Sequence, residues 1–322
     1  MQKSRKSRRI LLLSNLLRQR AGKSCIAKTA LWCCKASKRW RKCGKTEAFT
    51  HDESCIHSPN FVVLLSLQSR MNTPLPTFGT RLAAFYEQLA LNLALNVELP
   101  SGIHAMNPYT NPETMRCVRQ FCEKYFNDDA KRISIWGINP GRFGGGVTGL
   151  SFTDPVILRD VCGIETHLGA HKELSAEYVW GVVQKYQEKS GVASTQGAES
   201  FFGRFFLTAL CPLGFTKAQG AGGVVNYNFY DDKELYKAVL PFMTATMQQQ
   251  CALGLHSSVA ICFGTGKLLQ AFERINAEHH FFERILPLEH PRFIMQYRRK
   301  QLHSYEEKYL ATFQEALRLV GE

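Results

Sequence analysis

Four short apolar runs set among helix-periodic stretches constrain this chain more than any other feature. Ile133, Ile135 and Ile138 flank Trp136 in the first, and FFLTAL (205–210), SVAICF (258–263) and residues 285–288 are the others. Runs this short and this apolar suit strands buried on both faces. The intervening segments carry helix periodicity. Leu82, Phe85, Leu89 and Leu93 recur at helical spacing over 77–95, and Leu302, Tyr305, Tyr309, Phe313 and Leu317 do so over 297–319. Further helices are expected from Pro112 to about 126 with Asn111 as cap, from Pro155 to 161, and from Ala176 to about 189 with Ser175 as cap. Two more follow, one from Asp231 to about 255 across Pro241 and one over 266–277. Residues 100–112, 191–197 and 213–225 read as loops rich in small and polar residues. Apolar strands alternating with helices imply an α/β fold, a parallel sheet covered on both faces.

Charge divides the chain at Met71. The first 70 residues hold 16 Lys+Arg and three acids (Glu47, Asp52, Glu53), a balance of +13, and the other 24 basic and 24 acidic residues cancel. Residues 1–70 therefore read as a basic extension. A disordered arm, a targeting peptide and sequence translated ahead of a start at Met71 all fit, and the abrupt change of pattern at a methionine favours the last. Residues 71–322 read as one domain without an internal repeat. Six of the 11 cysteines lie beyond Met71, mostly inside apolar runs and with no C-x-x-C spacing, as free thiols of a reduced, cytoplasmic protein do. No metal or cofactor is expected. No apolar run reaches the roughly 18 residues that span a bilayer.

The first strand leads into NPGRFGGG (139–146), a Gly-rich loop at a strand's carboxyl end, where open α/β sheets place their ligands. It lacks the spacing of either common nucleotide-phosphate loop, and no nucleophile elbow occurs. Three strand-end loops pair polar residues with glycine, proline or an aromatic: Asn139-Pro140-Gly141, Asn226-Tyr227-Asn228 and His290-Pro291-Arg292. Parallel strands bring such loops to one crevice. An amide, a histidine and an aromatic, Phe152, suit a positioned water, a departing anion and a stacking face. The third loop continues as FIMQYRRK (293–300), with Phe293, Ile294 and Met295 as an apolar wedge beside Arg298, Arg299 and Lys300. Apolar residues next to cations suit entry into a base stack by a protein holding phosphates.

Residues 137–152, G-I-N-P-G-x-F-G followed by T-G-x-x-F, resemble the first motif of the single-strand-selective monofunctional uracil-DNA glycosylases. His290-Pro291 resembles the second motif of that superfamily, and LCPL (210–213) a strand end between them. NYNFYDD (226–232) and HPRFIMQYRRK (290–300) are closer still to a bacterial branch of the family. The likeness runs in order from about residue 71 to 320. It implies a three-layer α/β/α sandwich around a four-stranded, mainly parallel sheet, and a monomer that removes uracil and other deaminated bases from DNA. Asn139 would position the attacking water. His290 would bond the uracil O2 and stabilise the departing anion. Ile138 and Phe152 would line and stack on the flipped base, and Arg292, the wedge and Arg298–Lys300 would hold DNA. One departure stands out. The family has an asparagine before L-C-P-L that reads the pyrimidine edge, and Ala209 stands there. Asn226 or Asn228 is then expected to read the base. Two competing readings are a catalytically weak nucleic-acid-binding module on the same fold and a small-molecule hydrolase or phosphate-binding protein using the glycine loop.

Overall fold

A computed structural model describes residues 76–91, 98–191 and 200–322. The chain divides into a unit of Met1–Thr73, none of it described, and a unit of Pro74–Glu322. The basic extension over 1–70 and all but the first residue of the loop expected over 191–197 thus lie outside the described residues.

The central sheet holds β2 (Arg132–Gly137), β3 (Phe205–Ala209), β6 (Leu255–Phe263) and β7 (Arg284–Leu288) in the order β3-β2-β6-β7, every pairing parallel. The four apolar runs are these strands, and β2 and β3 are buried at every position. Alternation along β3 shows how both faces are covered. Phe205 packs on Phe313 of α10 (Leu302–Val320) at 5.0 Å, while Phe206 packs on Phe78 of α1 (Phe78–Leu91) at 5.3 Å. On the Phe206 side, Trp136 meets Phe272 of α8 (Lys267–His279), and Thr208 donates to Gln250 of α7 (Lys233–Cys251). The result is a three-layer α/β/α sandwich. Arg132 enters β2 wholly buried, its guanidinium 4.5 Å from the Phe78 ring centroid and paired with Asp128 at 2.8 Å.

Helix α2 (Pro112–Tyr125) starts as its sequence dictates, with Asn111 Oδ1 accepting from the Glu113 N–H at 2.9 Å and proline at its first position. Helix α4 (Pro155–Asp160) follows Asp154 in the same way. Two loop expectations fail. Residues 100–112 contain β1 (Ile103–Met106), and residues 213–225 contain most of a hairpin, β4 (Gly214–Gln219) and β5 (Gly223–Tyr227). These three make a second, antiparallel sheet in the order β1-β4-β5. Ser175 is not a cap. Helix α5 runs Leu174–Ser190 from Glu173, and Ser175 is buried within it. The helix expected over 297–319 is α10, and the loop expected ahead of it instead forms a helix, α9 (Pro291–Tyr297), joined to α10 by a short 3₁₀ turn. The short helices α3 (Gly145–Thr148) and α6 (Phe201–Arg204) complete the set.

Candidate active site

The carboxyl ends of β2, β3 and β7 and the end of β5 open on one cleft of about 380 Å³. Ile138, Asn139, Phe152, Ala209, Asn226, Asn228, His290, Arg292 and Phe293 line it, so the three strand-end loops do converge.

Each side chain is held by its surroundings. Asn139 bridges to the end of β5 and the residues just after it: its Nδ2 donates to the Tyr227 carbonyl and its Oδ1 accepts from the Phe229 N–H, both at 3.2 Å. One N–H and one lone pair of the amide remain. Asn226 Oδ1 accepts from the Arg142 N–H at 3.1 Å, which fixes the amide with its NH₂ end left to donate. Neither Asn226 nor Asn228 caps α7. Asp232 does so, accepting from Glu234 and Leu235.

His290 forms the N-cap of α9, its Nδ1 accepting from the Arg292 N–H at 3.1 Å. An accepting Nδ1 puts the proton of the neutral ring on Nε2, which makes the histidine a donor. Burial, and then the charge of Arg292, pushes its pKa down to about 4, so the ring is neutral at pH 7. The residue before it is pinned from α10: the Tyr309 hydroxyl donates to the Glu289 carbonyl, and Lys308 pairs with the Glu289 carboxylate at 2.8 Å.

Phe152 has φ +54°, a left-handed conformation costing on the order of 1–3 kcal/mol for a residue with a side chain. Its ring lies over the end of β2, where a Cβ on Gly137 would stand 2.6 Å from Cζ. Glycine at 137 is what admits the ring, which sits 5.4 Å from Phe263 and 6.3 Å from His290 between centroids. Ala209 is 5% exposed at the cleft wall and contributes only a methyl group.

The wedge expectation needs correction. Ile294 and Met295 are 0% and 5% exposed, packed into the core on the inner side of α9. A helix rather than a loop carries this segment, so residues one and two places after Phe293 turn inward. The exposed apolar pair is Phe293 (38%) and Tyr297 (66%), one helical turn apart with ring centroids at 5.7 Å. The Arg298 guanidinium lies 5.1 Å from the Phe293 ring, and Arg298, Arg299 and Lys300 are all exposed. Tyr297, Gln296, Tyr230, Ser151 and Glu173 also line the cleft and were not singled out from sequence. Only the four-residue spacing of Phe293 and Tyr297 could have marked the tyrosine.

Among the described residues no group of three or more His, Cys, Asp or Glu is placed to hold a metal, and no helix is long and apolar enough to cross a membrane. Their six cysteines are free, and burial pushes the Cys122, Cys162, Cys211, Cys251 and Cys262 thiols up to about 12.

A neutral donor facing an anchored amide beside a stacking ring is equipment for breaking a bond to a planar heterocycle, and comparison with known proteins agrees. A model of the Uracil DNA glycosylase superfamily matches residues 123–317, and the chain belongs to that superfamily. The crystal structure of wild-type SMUG2 from Pedobacter heparinus is similar to it at 38% identity and a TM-score of 0.67, over 74% of this chain and 98% of that one. The likeness to the single-strand-selective monofunctional uracil-DNA glycosylases thus extends to the fold. The protein is a DNA glycosylase, hydrolysing the N-glycosyl bond of uracil in DNA. No curated protein sequence matches the chain.

Proposed function

We propose that this glycosylase is monofunctional, that it removes other deaminated bases besides uracil, and that it thereby initiates base-excision repair as a monomer. The observation that carries this reading is the state of His290. A neutral ring with Nε2–H facing the cleft donates to a carbonyl oxygen of the base, and that bond strengthens as negative charge develops on the leaving group. Phe152 supplies the face on which an extruded base stacks. Asn139, with both amide atoms tied, holds the attacking water through its remaining N–H and lone pair. Among the described residues no lysine lines the cleft, and none of them offers an amine for a Schiff base at C1′.

Three features support the wider base range: the methyl group of Ala209, the size of the cleft, and the donor end of Asn226. On the DNA side, Phe293 and Tyr297 form the wedge, while Arg292, Arg298, Arg299 and Lys300 meet phosphates. The buried free thiols suit a reducing compartment such as the bacterial cytoplasm.

The test is an oligonucleotide carrying one uracil, incubated with the protein and analysed with and without alkali. Strand breakage only after alkali, with no borohydride-trapped adduct, is expected. Breakage before alkali would refute monofunctional action, and a shifted band without breakage would favour the binding module.

A further inference from the structure

Among the described residues that line the cleft, Glu173 is the only carboxylic acid. Its backbone is fixed at the head of α5: its N–H donates to Asp154 Oδ2 at 2.8 Å and its carbonyl accepts from the Glu177 N–H at 3.0 Å. Asp154 is itself held, its Oδ1 capping α4 through the Ile157 N–H at 2.8 Å. From this anchor the side chain runs across the glycine loop. A Cβ on Gly144 would stand 1.8 Å from Oε2, and one on Gly141 would stand 2.7 Å from Oε1 and 3.4 Å from Asn226 Nδ2. Glycine at both positions is the condition for the carboxyl to lie there. Gly141 is two residues beyond Asn139, so the acid sits on the wall that carries the water-positioning amide. Among the described residues no hydrogen bond or ion pair occupies either oxygen, and the residue lines the cleft.

Hydrolysis of an N-glycosyl bond moves one proton that needs a destination. The C1′–N bond breaks with its electron pair going to the base, the water oxygen bonds to C1′, and the water gives up a proton. The other lining groups do not receive it. His290 has Nδ1 engaged by the Arg292 N–H and a hydrogen already on Nε2. An amide is too weak a base, and a guanidinium such as that of Arg292 has no acceptor. Burial and the neighbouring Asp231 keep the Tyr230 phenol protonated well above neutral pH.

We propose, on the basis of the glycosylase reading above, that Glu173 is a catalytic residue whose carboxylate accepts the proton lost by the attacking water as the C1′–O bond forms. The electrostatic setting fits the task. Burial first and Asp154 second raise the Glu173 pKa to about 7, and Arg292 opposes them. Arg142, on the loop against which Glu173 packs, turns its guanidinium to the Val224 carbonyl instead. A carboxylate with a pKa near neutrality is a far better acceptor than an ordinary one, and positioned proton transfer contributes on the order of a hundredfold or more.

The experiment is single-turnover excision of uracil from an oligonucleotide at saturating enzyme, from about pH 5.5 to 9. The unmodified enzyme should speed up with one ionisation near pH 7 as Glu173 loses its proton. Glu173→Gln should bind the oligonucleotide at least as well, lose about a hundredfold or more of the high-pH rate, and show a flattened profile. Glu173→Asp should restore part of the rate together with a pH limb. If Glu173→Gln keeps a rate within about threefold of the unmodified enzyme, or slows while retaining the same pH limb, the proton-acceptor role is wrong. The glycosylase reading survives those results. Failure of the unmodified enzyme to excise uracil at any pH overturns both.

Discussion

Replacing Asn139 by alanine tests whether its amide acts in chemistry or only as a tether. The side chain makes two hydrogen bonds, to the Tyr227 carbonyl and from the Phe229 N–H. Alanine strips both and leaves two backbone groups to find other partners in a partly buried place. Such a loss costs about 1–3 kcal/mol, which for a folded unit of this size lowers Tm by about 2–10 °C. The rate effect is separate. Losing one preorganised contact to the transition state slows chemistry by about 10²- to 10³-fold. The assay pairs thermal melting with single-turnover excision at saturating enzyme and with DNA affinity measured on an uncleaved oligonucleotide. A lower Tm, a rate down a hundredfold and near-unchanged affinity are expected. A lower Tm with a rate within a few-fold of the unmodified enzyme would refute water positioning and leave Asn139 as a tether. An unchanged Tm would refute the bridge itself.

Three further outcomes are expected. Neutralising Arg298 or Lys300, both exposed beside Phe293 and Tyr297, should weaken binding to any sequence and reduce the slope of log K against log salt by about 0.7–0.9 for each contact; identical slopes would return them to a solvated surface. Asn226→Ala should slow uracil excision more than Asn228→Ala, because Arg142 holds the Asn226 amide at the cleft, and Ala209→Asn should shift the ratio of xanthine to uracil release towards uracil. Equal, few-fold effects of the two asparagine variants would end the relocated-amide idea. His290 has its pKa held near 4 against an ordinary value of 6.5, so its contribution to stability is present above pH 6.5 and lost as pH falls through 4. In urea titrations, His290→Asn should therefore lose less stability than the unmodified enzyme between pH 7 and 4, and parallel losses would show that the ring is protonated in the fold.

The central sheet was legible because buried parallel strands are continuous apolar runs, which few other elements imitate. The small sheet was not. The β4–β5 hairpin reads GFTKAQGAGGVVNY, largely polar and glycine-rich, and only its pairing partners make it a strand pair. Ser175 illustrates a different failure, since a serine near a helix start is a good local signal that tertiary packing overrode by starting α5 two residues earlier. Asn139 and His290 stood out because they sit beside proline at strand ends. Ile294 and Met295 read as exposed only if the segment is a loop, and a helix sends them inward. Glu173 carried no mark at all: one acid among 27, ahead of an ordinary helix. Its place against Gly141 and Gly144 exists only in three dimensions.

The two halves of the cleft differ in when they can be built. The glycine loop follows β2 in the middle of the chain, whereas the backbone just before His290 is secured by Tyr309 and Lys308, which are synthesised after it. A chain that ends after α9 therefore carries the amide, Phe152 and His290 but not the groups that secure Glu289. The histidine side of the cleft is thus complete only when α10 packs against Glu289. α10 also covers Phe205 of β3 and Phe263 of β6, so the element that secures the histidine side of the cleft is the one that closes this face of the sheet.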